Sequence, residues 1–247
     1  MKIGIIGAMK EEVEILQHEL SSLHKSEKGG CIFFEGTMND QEIVLLESGI
    51  GKVNAAIGTT LLIDNYAPDV VINTGSAGGF DPALKVGDLV ISTEVRYNDV
   101  DATVFGYEFG QVPQMPASYP ADKRLINMAE KGAAAGDLQS ASGLILSGDS
   151  FMSSEVRVDE LKEMFQKPLC SEMEAGAIAQ VCHRFQVPFV VTRSLSDIAG
   201  AEAKISYDQF LMTASKHSAE LVMHMVGQLA ENNQPFVPEE NGGGVLP

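Results

Sequence analysis

The stretch from Cys170 to Gly200 restricts the fold more than any other part of the chain. It opens on two acids, Glu172 and Glu174. Ala175 to Val181 follows, small and apolar, and reads as a packed helix. Val187 to Thr192 is β-branched and apolar enough for a buried strand, and it runs out into Arg193, Ser194, Ser196 and Asp197. A helix feeding a buried strand points to an α/β sheet, where ligands bind beyond the carboxyl ends of strands. Polar side chains at Arg193, Ser196 and Asp197 therefore stand where a pocket should form. The spacing of Glu172 and Glu174 limits the assignment. Residues two apart on a helix point to roughly opposite sides, so only one of the pair can face a ligand if this turn is helical. The other would cap or support, and the helix macrodipole alone would also favour both acids.

The chain before this stretch carries the same alternation. Lys2 to Gly7 is an apolar strand, and Lys10 to Leu23, with Val13, Leu16, Leu20 and Leu23 at helical period, is expected to be a helix. Glu11 and Glu12 fall in its first turn, beside another strand's carboxyl end. The turn lacks G-x-G-x-x-G, so it is not a dinucleotide fingerprint. Cys31 to Gly36 and Glu42 to Glu47 form an expected hairpin. Ser48 to Asp64 is a glycine turn and an Ala-rich helix. Gly51-Lys52 is followed by Val53, so a phosphate loop is excluded, and the small residues suit close helix–sheet packing.

Val70 to Gly79 (V-V-I-N-T-G-S-A-G-G) reads as a strand ending in a loop where glycine lets a ligand approach the backbone. Val86 to Val95 and Ser140 to Ser147 are strands. Asp122 to Ala135, capped by Asp122, and Glu155 to Phe165 are helices. Tyr97 to Pro120 is irregular and aromatic, and long loops of this kind are usually functional. Exposed Phe105, Tyr107 and Phe109 would suit a subunit interface. Ser206 is expected to cap a helix from Tyr207 to Leu229, with Phe210, Leu211, Ala214, His217, Ser218, Leu221 and Met225 inward. His217 and His224 have no third partner that would make a metal site. No internal repeat is evident. Residues 1–231 read as one domain, and the Pro/Gly-rich tail 232–247 reads as disordered.

Net charge is −17, which argues against nucleic acid and anionic membrane partners. Cys31, Cys170 and Cys182 are odd in number and without C-x-x-C, so they read as reduced thiols in a cytoplasmic protein. The N-terminal M-K-I-G-I-I-G is better explained as a strand than as a signal peptide.

Glu12, Glu174 and Asp197 thus sit at expected pocket-facing ends, with the 75–79 glycines, Phe151 and Arg193 nearby. Such a mix suits a nucleoside-sized ligand. Its carboxylates could serve as a base for water, a partner for sugar hydroxyls and an acid for a leaving group. Hydrolysis and transfer at a sugar carbon both remain open on these grounds.

Six motifs add a resemblance: M-K-I-G-I-I-G-A-M-x-E-E, S-G-I-G-K-V-N-A-A, N-T-G-S-A-G-G, S-G-D-S-F, E-M-E-A-G-A-I-A and R-S-L-S-D. In this order they resemble the bacterial 5′-methylthioadenosine/S-adenosylhomocysteine nucleosidases of the purine nucleoside phosphorylase superfamily, over about residues 1–230. The resemblance implies a three-layer α/β/α sandwich around a mixed, partly barrel-like sheet, forming a homodimer. It implies that Glu12 activates water for attack on C1′ and that Asp197, oriented by Ser196, protonates N7 of adenine. Glu174 would bind the ribose hydroxyls and Met173 would pack on the sugar. The Met152 main chain would read the base and Phe151 would stack on it. Gly78 would border the site, and Ser76 and Arg193 would frame the water and Glu174. The loop 98–116, with Phe105 and Pro113, would reach the partner's site. No cofactor or metal is implied. The implied substrates are methylthioadenosine, S-adenosylhomocysteine and 5′-deoxyadenosine, in methionine salvage. Lys10 and Tyr207 depart from the family pattern, where a more acidic stretch and Phe are usual. A phosphorylase of the same superfamily and a non-catalytic nucleoside-binding protein are the alternatives. The first needs a cationic phosphate site, which the Arg- and Lys-poor glycine loops do not offer.

Overall fold

The computed structural model describes residues 1–200, 203–232 and 236. The tail expected to be disordered lies outside these residues, apart from Asn232 and Phe236. The first half comprises β1 (Lys2–Gly7), α1 (Lys10–His18), β2 (Ser21–Lys28), β3 (Cys31–Met38), β4 (Gln41–Glu47), α2 (Lys52–Tyr66), β5 (Val70–Asn73), β6 (Ser76–Gly79) and β7 (Leu89–Tyr97). A short 3₁₀ turn at Thr103–Phe105 precedes β8 (Tyr119–Pro120). Then come α3 (Lys123–Ala135), β9 (Ser140–Ser147), α4 (Glu155–Met164), β10 (Cys170–Glu172), α5 (Ala175–Phe185), β11 (Phe189–Ile198) and α6 (Ala203–Glu231).

The strands form a mixed sheet in the order β2-β3-β4-β1-β5-β11-β6-β10-β9-β7-β8. β11 also pairs with β7, so β11, β6, β10, β9 and β7 close on themselves as a five-stranded barrel. One strand can serve both parts because β11 is long. Its first half pairs with β5 (Phe189 to Val191), and its second half pairs with β6 and β7. Helices α2 and α5 pack together on one side, and α1, α3 and α6 on the other. Near-continuous apolar strands such as Val70–Ile72 and Phe189–Val191 are buried accordingly, since a sheet covered on both faces has no solvent side.

Several expectations hold in detail. The hairpin is β3–β4. The Asp122 carboxylate accepts from the Arg124 and Leu125 N–H groups at the start of α3. Close packing explains the small residues of α2, because a Cβ at Gly58 would lie 3.0 Å from Leu46 Cδ2. The three cysteines are buried free thiols.

Other expectations are corrected. The first helix ends at His18, and Ser21–Lys28 is an edge strand on β3. This segment is polar along its length, so it gains more from filling β3's hydrogen-bonding edge than from a helix with little apolar face to bury. The fifth strand's expected loop is itself a strand, β6, and β11 runs through Arg193 and Asp197 to Ile198. Barrel closure supplies the partners that extend both segments. Ser206 does not cap α6. It lies in the first turn and donates its hydroxyl to the Ser196 carbonyl at 3.2 Å. Phe210 is 40% exposed rather than inward, whereas Ala214, Ser218, Leu221 and Met225 are buried. In the 97–120 segment Phe105 is exposed, but Tyr107 and Phe109 are half-buried, with Phe109 against Phe165 at 5.9 Å.

Candidate active site

The barrel end carries a cavity of about 330 Å³, within the range of small-molecule sites. Glu12, Ser76, Gly78, Phe151, Met152, Met173, Glu174, Ser196 and Asp197 line it. Arg193 does not. It stands behind the wall, 2% exposed, and works through the carboxylates it touches. Phe105 and Pro113 lie on the exposed surface of the 98–116 loop and are not part of this chain's own cavity lining.

Glu12 is held at four points. Its Oε2 accepts from the Ala8 N–H at 2.8 Å and the Met9 N–H at 3.3 Å, which closes the first turn of α1. Its Oε1 accepts from the Ser76 N–H at 3.0 Å and lies 3.1 Å from Ser76 Oγ, which donates to it. Gly75 makes room for this: a Cβ there would sit 2.6 Å from Glu12 Oε1 and 2.8 Å from an Arg193 nitrogen, and its φ is +152°. The acid is thus a fixed acceptor at a strand end.

Asp197 comes from a β-bulge. β11 pairs Leu195 with Ala77 and Asp197 with Gly78, which leaves Ser196 as the extra residue. Bulges re-aim side chains, and here both Ser196 and Asp197 reach the cavity. Ser196 Oγ donates to Asp197 Oδ1 at 2.8 Å. Burial raises the Asp197 carboxyl above the usual range, partly offset by that hydrogen bond. A Cβ at Gly78 would meet Asp197 Oδ2 at 2.9 Å, so the small residue is needed for the acid to lie over β6.

The helical turn assumed for E-M-E is not there: Glu172 ends β10 and Glu174 stands at the N-cap of α5, so both border the cavity, each with its own partners. Glu172 ends β10 and turns back to accept the N–H groups of Glu174 (3.0 Å) and Ala175 (2.8 Å), capping α5. It also pairs with Arg193 Nη2 at 2.5 Å. Glu174 faces the cavity, accepts from the Gly51 N–H at 2.9 Å, and lies 3.7 Å from Arg193. Burial, then repulsion from Glu172, raises its carboxyl to about 8. For Arg193, burial works against the charge, and the carboxylates of Glu172, Glu174 and Glu12 more than offset it. Asn73 completes the cluster by accepting from Arg193 Nη2 at 2.8 Å and donating to the Ile6 carbonyl at 2.9 Å. The sequence reading missed Asn73. Its signal was a polar residue ending the otherwise apolar V-V-I-N strand.

Phe151 stands edge-on to Tyr207, with ring centroids 5.8 Å apart. The Met152 carbonyl accepts from the Gly200 N–H at 3.0 Å, which ties the 148–154 segment to the end of β11. Met9 and Ile50 add apolar wall, and the first turns of α6 add Lys204, Tyr207 and Asp208. Of these only Tyr207 was singled out from sequence. Burial, then the nearby acids beginning with Glu12, raises the Tyr207 hydroxyl to about 12. Its O–H donates to Met9 Sδ at 3.4 Å.

A mixed sheet closed into a small barrel, with acids from three strand ends in one cavity, defines an α/β protein built to bind a small polar-and-aromatic ligand. The family model of the phosphorylase superfamily matches residues 2–227, and the chain belongs to that family. Its relatives are specific. The chain is 67% identical to the 5′-methylthioadenosine/S-adenosylhomocysteine nucleosidase of Halalkalibacterium halodurans, over 92% of this chain and 99% of that one. The corresponding Neisseria meningitidis nucleosidase, solved with methylthio-immucillin-A, superposes with a TM-score of 0.91 at 45% identity, covering 92% of this chain and 99% of that one. The Colwellia psychrerythraea nucleosidase, solved with adenine, gives 0.90 at 48% identity over 93% and 96% of the two chains.

Proposed function

We propose that the chain is a hydrolase that cleaves the N-glycosidic bond of 5′-methylthioadenosine and S-adenosylhomocysteine, releasing adenine and the corresponding thioribose. The observation that carries this reading is the bridging of two acids by one short strand. Ser76 of β6 holds Glu12, and Gly78 of β6 lies under Asp197. Residues two apart on a strand share a face and are roughly 7 Å apart. Breaking a glycosidic bond with inversion needs a base and an acid separated enough to admit a water and the sugar carbon.

In this reading Glu12, acceptor-rich and fixed, takes a proton from the water that attacks C1′. Adenine is a poor leaving group until N7 is protonated, and Asp197, kept protonated more readily by burial, supplies that proton. Glu174 binds the ribose hydroxyls, Met173 packs on the sugar, and Phe151 and the Met152 main chain hold the base. Arg193 and Asn73 act by positioning Glu174 and Glu172. The test is adenine release from both nucleosides in phosphate-free, ¹⁸O-labelled water. Label in the sugar product without added phosphate is expected. A requirement for phosphate would identify a phosphorylase, and intact nucleoside would identify a binding protein.

The same reading makes the enzyme a cytoplasmic homodimer in methionine salvage. Its support is an apolar surface on α2 and α5, where Val53 is 70% exposed and Ile57 and Phe185 are also exposed, and Phe105 at 79% exposure in the 98–116 loop. Among the described residues no helix is long and apolar enough to cross a membrane. Sedimentation should return twice the chain mass, and V53E/I57E should return the chain mass.

A further inference from the structure

Two charges at the cavity are left unused by the hydrolytic reading. Lys204 and Asp208 lie four residues apart on α6, and both line the cavity with Tyr207. Residues spaced i, i+3 and i+4 share one helix face, so the face that presents Tyr207 presents both charges. Both are exposed, and among the described residues neither makes an ion pair or a side-chain hydrogen bond. Among the described residues Lys204 is also the one basic side chain in the lining, against Glu12, Glu172, Glu174, Asp197 and Asp208. A carboxylate-bearing ligand would be repelled by such a cavity unless a cation met it at the entrance.

We propose that Lys204 and Asp208 form a subsite for a zwitterionic amino-acid tail carried on the 5′ side of the sugar. The Lys204 ammonium takes the α-carboxylate and the Asp208 carboxylate takes the α-ammonium. The proposal rests on the nucleosidase reading, whose two substrates differ only beyond the 5′ sulfur: one ends in a methyl group, the other in an α-amino acid. A cation and an anion presented side by side, each without a partner of its own, match a zwitterion. A phosphate monoester would meet Asp208 as a repelling neighbour, and a plain alkyl group would use neither charge. Tyr207 and Met9, joined at 3.4 Å, supply adjoining wall for the thioether segment.

The experiment compares kcat/KM for S-adenosylhomocysteine with kcat/KM for methylthioadenosine in the full-length enzyme and in K204M, K204E and D208N. Exposed ion pairs are weak, so K204M and D208N should each lower this ratio roughly two- to fivefold, and K204E should lower it by about tenfold. An S-adenosylhomocysteine analogue lacking the α-carboxylate should respond to D208N and not to K204M, and one lacking the α-amino group should do the reverse. High salt should compress the wild-type ratio toward that of the variants. A ratio that stays within about 1.5-fold in all three variants overturns the proposal. So does an analogue pattern in which both analogues respond alike, which would make the residues general cavity wall. Failure of the underlying reading looks different, because wild type would then release no adenine from methylthioadenosine.

Discussion

Replacing Glu174 with Gln should stabilise the free protein increasingly as pH rises, while abolishing most of its activity. The Glu174 carboxyl titrates near 8 in the fold against 4.5 for the free side chain. Between these values the native protein holds a proton that the unfolded chain has released. Unfolding free energy therefore falls as pH rises through this window, and the penalty is complete above pH 8. At 1.36 kcal/mol per pH unit the ceiling is roughly 5 kcal/mol. Arg193 and the Gly51 N–H pull against this shift, and the buried charges around Glu174 are coupled, so the observed effect will be smaller. Gln keeps an acceptor for the Gly51 N–H and removes the charge, so the pH-dependent penalty goes with little change in shape. Each kcal/mol is worth about 2–4 °C in a chain of this size. Thermal melts of E174Q and wild type from pH 5 to pH 9 should nearly coincide at the acid end and separate by about 5–10 °C at the alkaline end, the variant higher. A difference that is flat across this range, or that shrinks toward pH 9, would refute the claim that burial and Glu172 repulsion hold a proton on Glu174.

Four further outcomes follow from the same geometry. D197N should lower kcat by roughly 10²–10⁴-fold in an adenine-release assay, the value of one proton-transfer role. S196A removes a donor that holds the Asp197 carboxyl down, so the acid form persists longer and the alkaline limb of the pH–rate profile should move to higher pH. G75A forces a Cβ against Glu12 and Arg193 at a φ of +152°, and should lower stability by roughly 1–3 kcal/mol by urea titration and damage turnover through Glu12. R193M leaves Glu172 and Glu174 facing each other without their buried cation, and should cost about 3–5 kcal/mol of unfolding free energy by the same titration.

Local pattern carried most of the elements. The buried strands, the hairpin, the Asp122 cap and the Ser140–Ser147 strand follow from apolar runs, turn residues and capping chemistry, all of which act within a few residues. It misjudged E-M-E, because the helix-face rule does not apply where Glu172 ends a strand and Glu174 is a helix N-cap, and both border the cavity. The acids themselves were legible as polar groups where strands stop.

What local pattern could not supply depends on partners far away in the chain. Ser21–Lys28 becomes a strand because β3 offers it an edge, and no window of polar residues announces that. β11 continues past Thr192 because the barrel closes around it, and the bulge that aims Ser196 and Asp197 exists only in the pairing with β6. The raised carboxyl of Glu174 is likewise a tertiary property, set by exclusion of water and by repulsion from Glu172 and Glu12 against the pull of Arg193. By itself the sequence determined which residues could do chemistry, since side-chain type and short-range periodicity are written in it. Which of them meet, at what distance and in what charge state was decided by the closing of one sheet on itself, because hydrogen-bond partnership and burial belong to the folded whole.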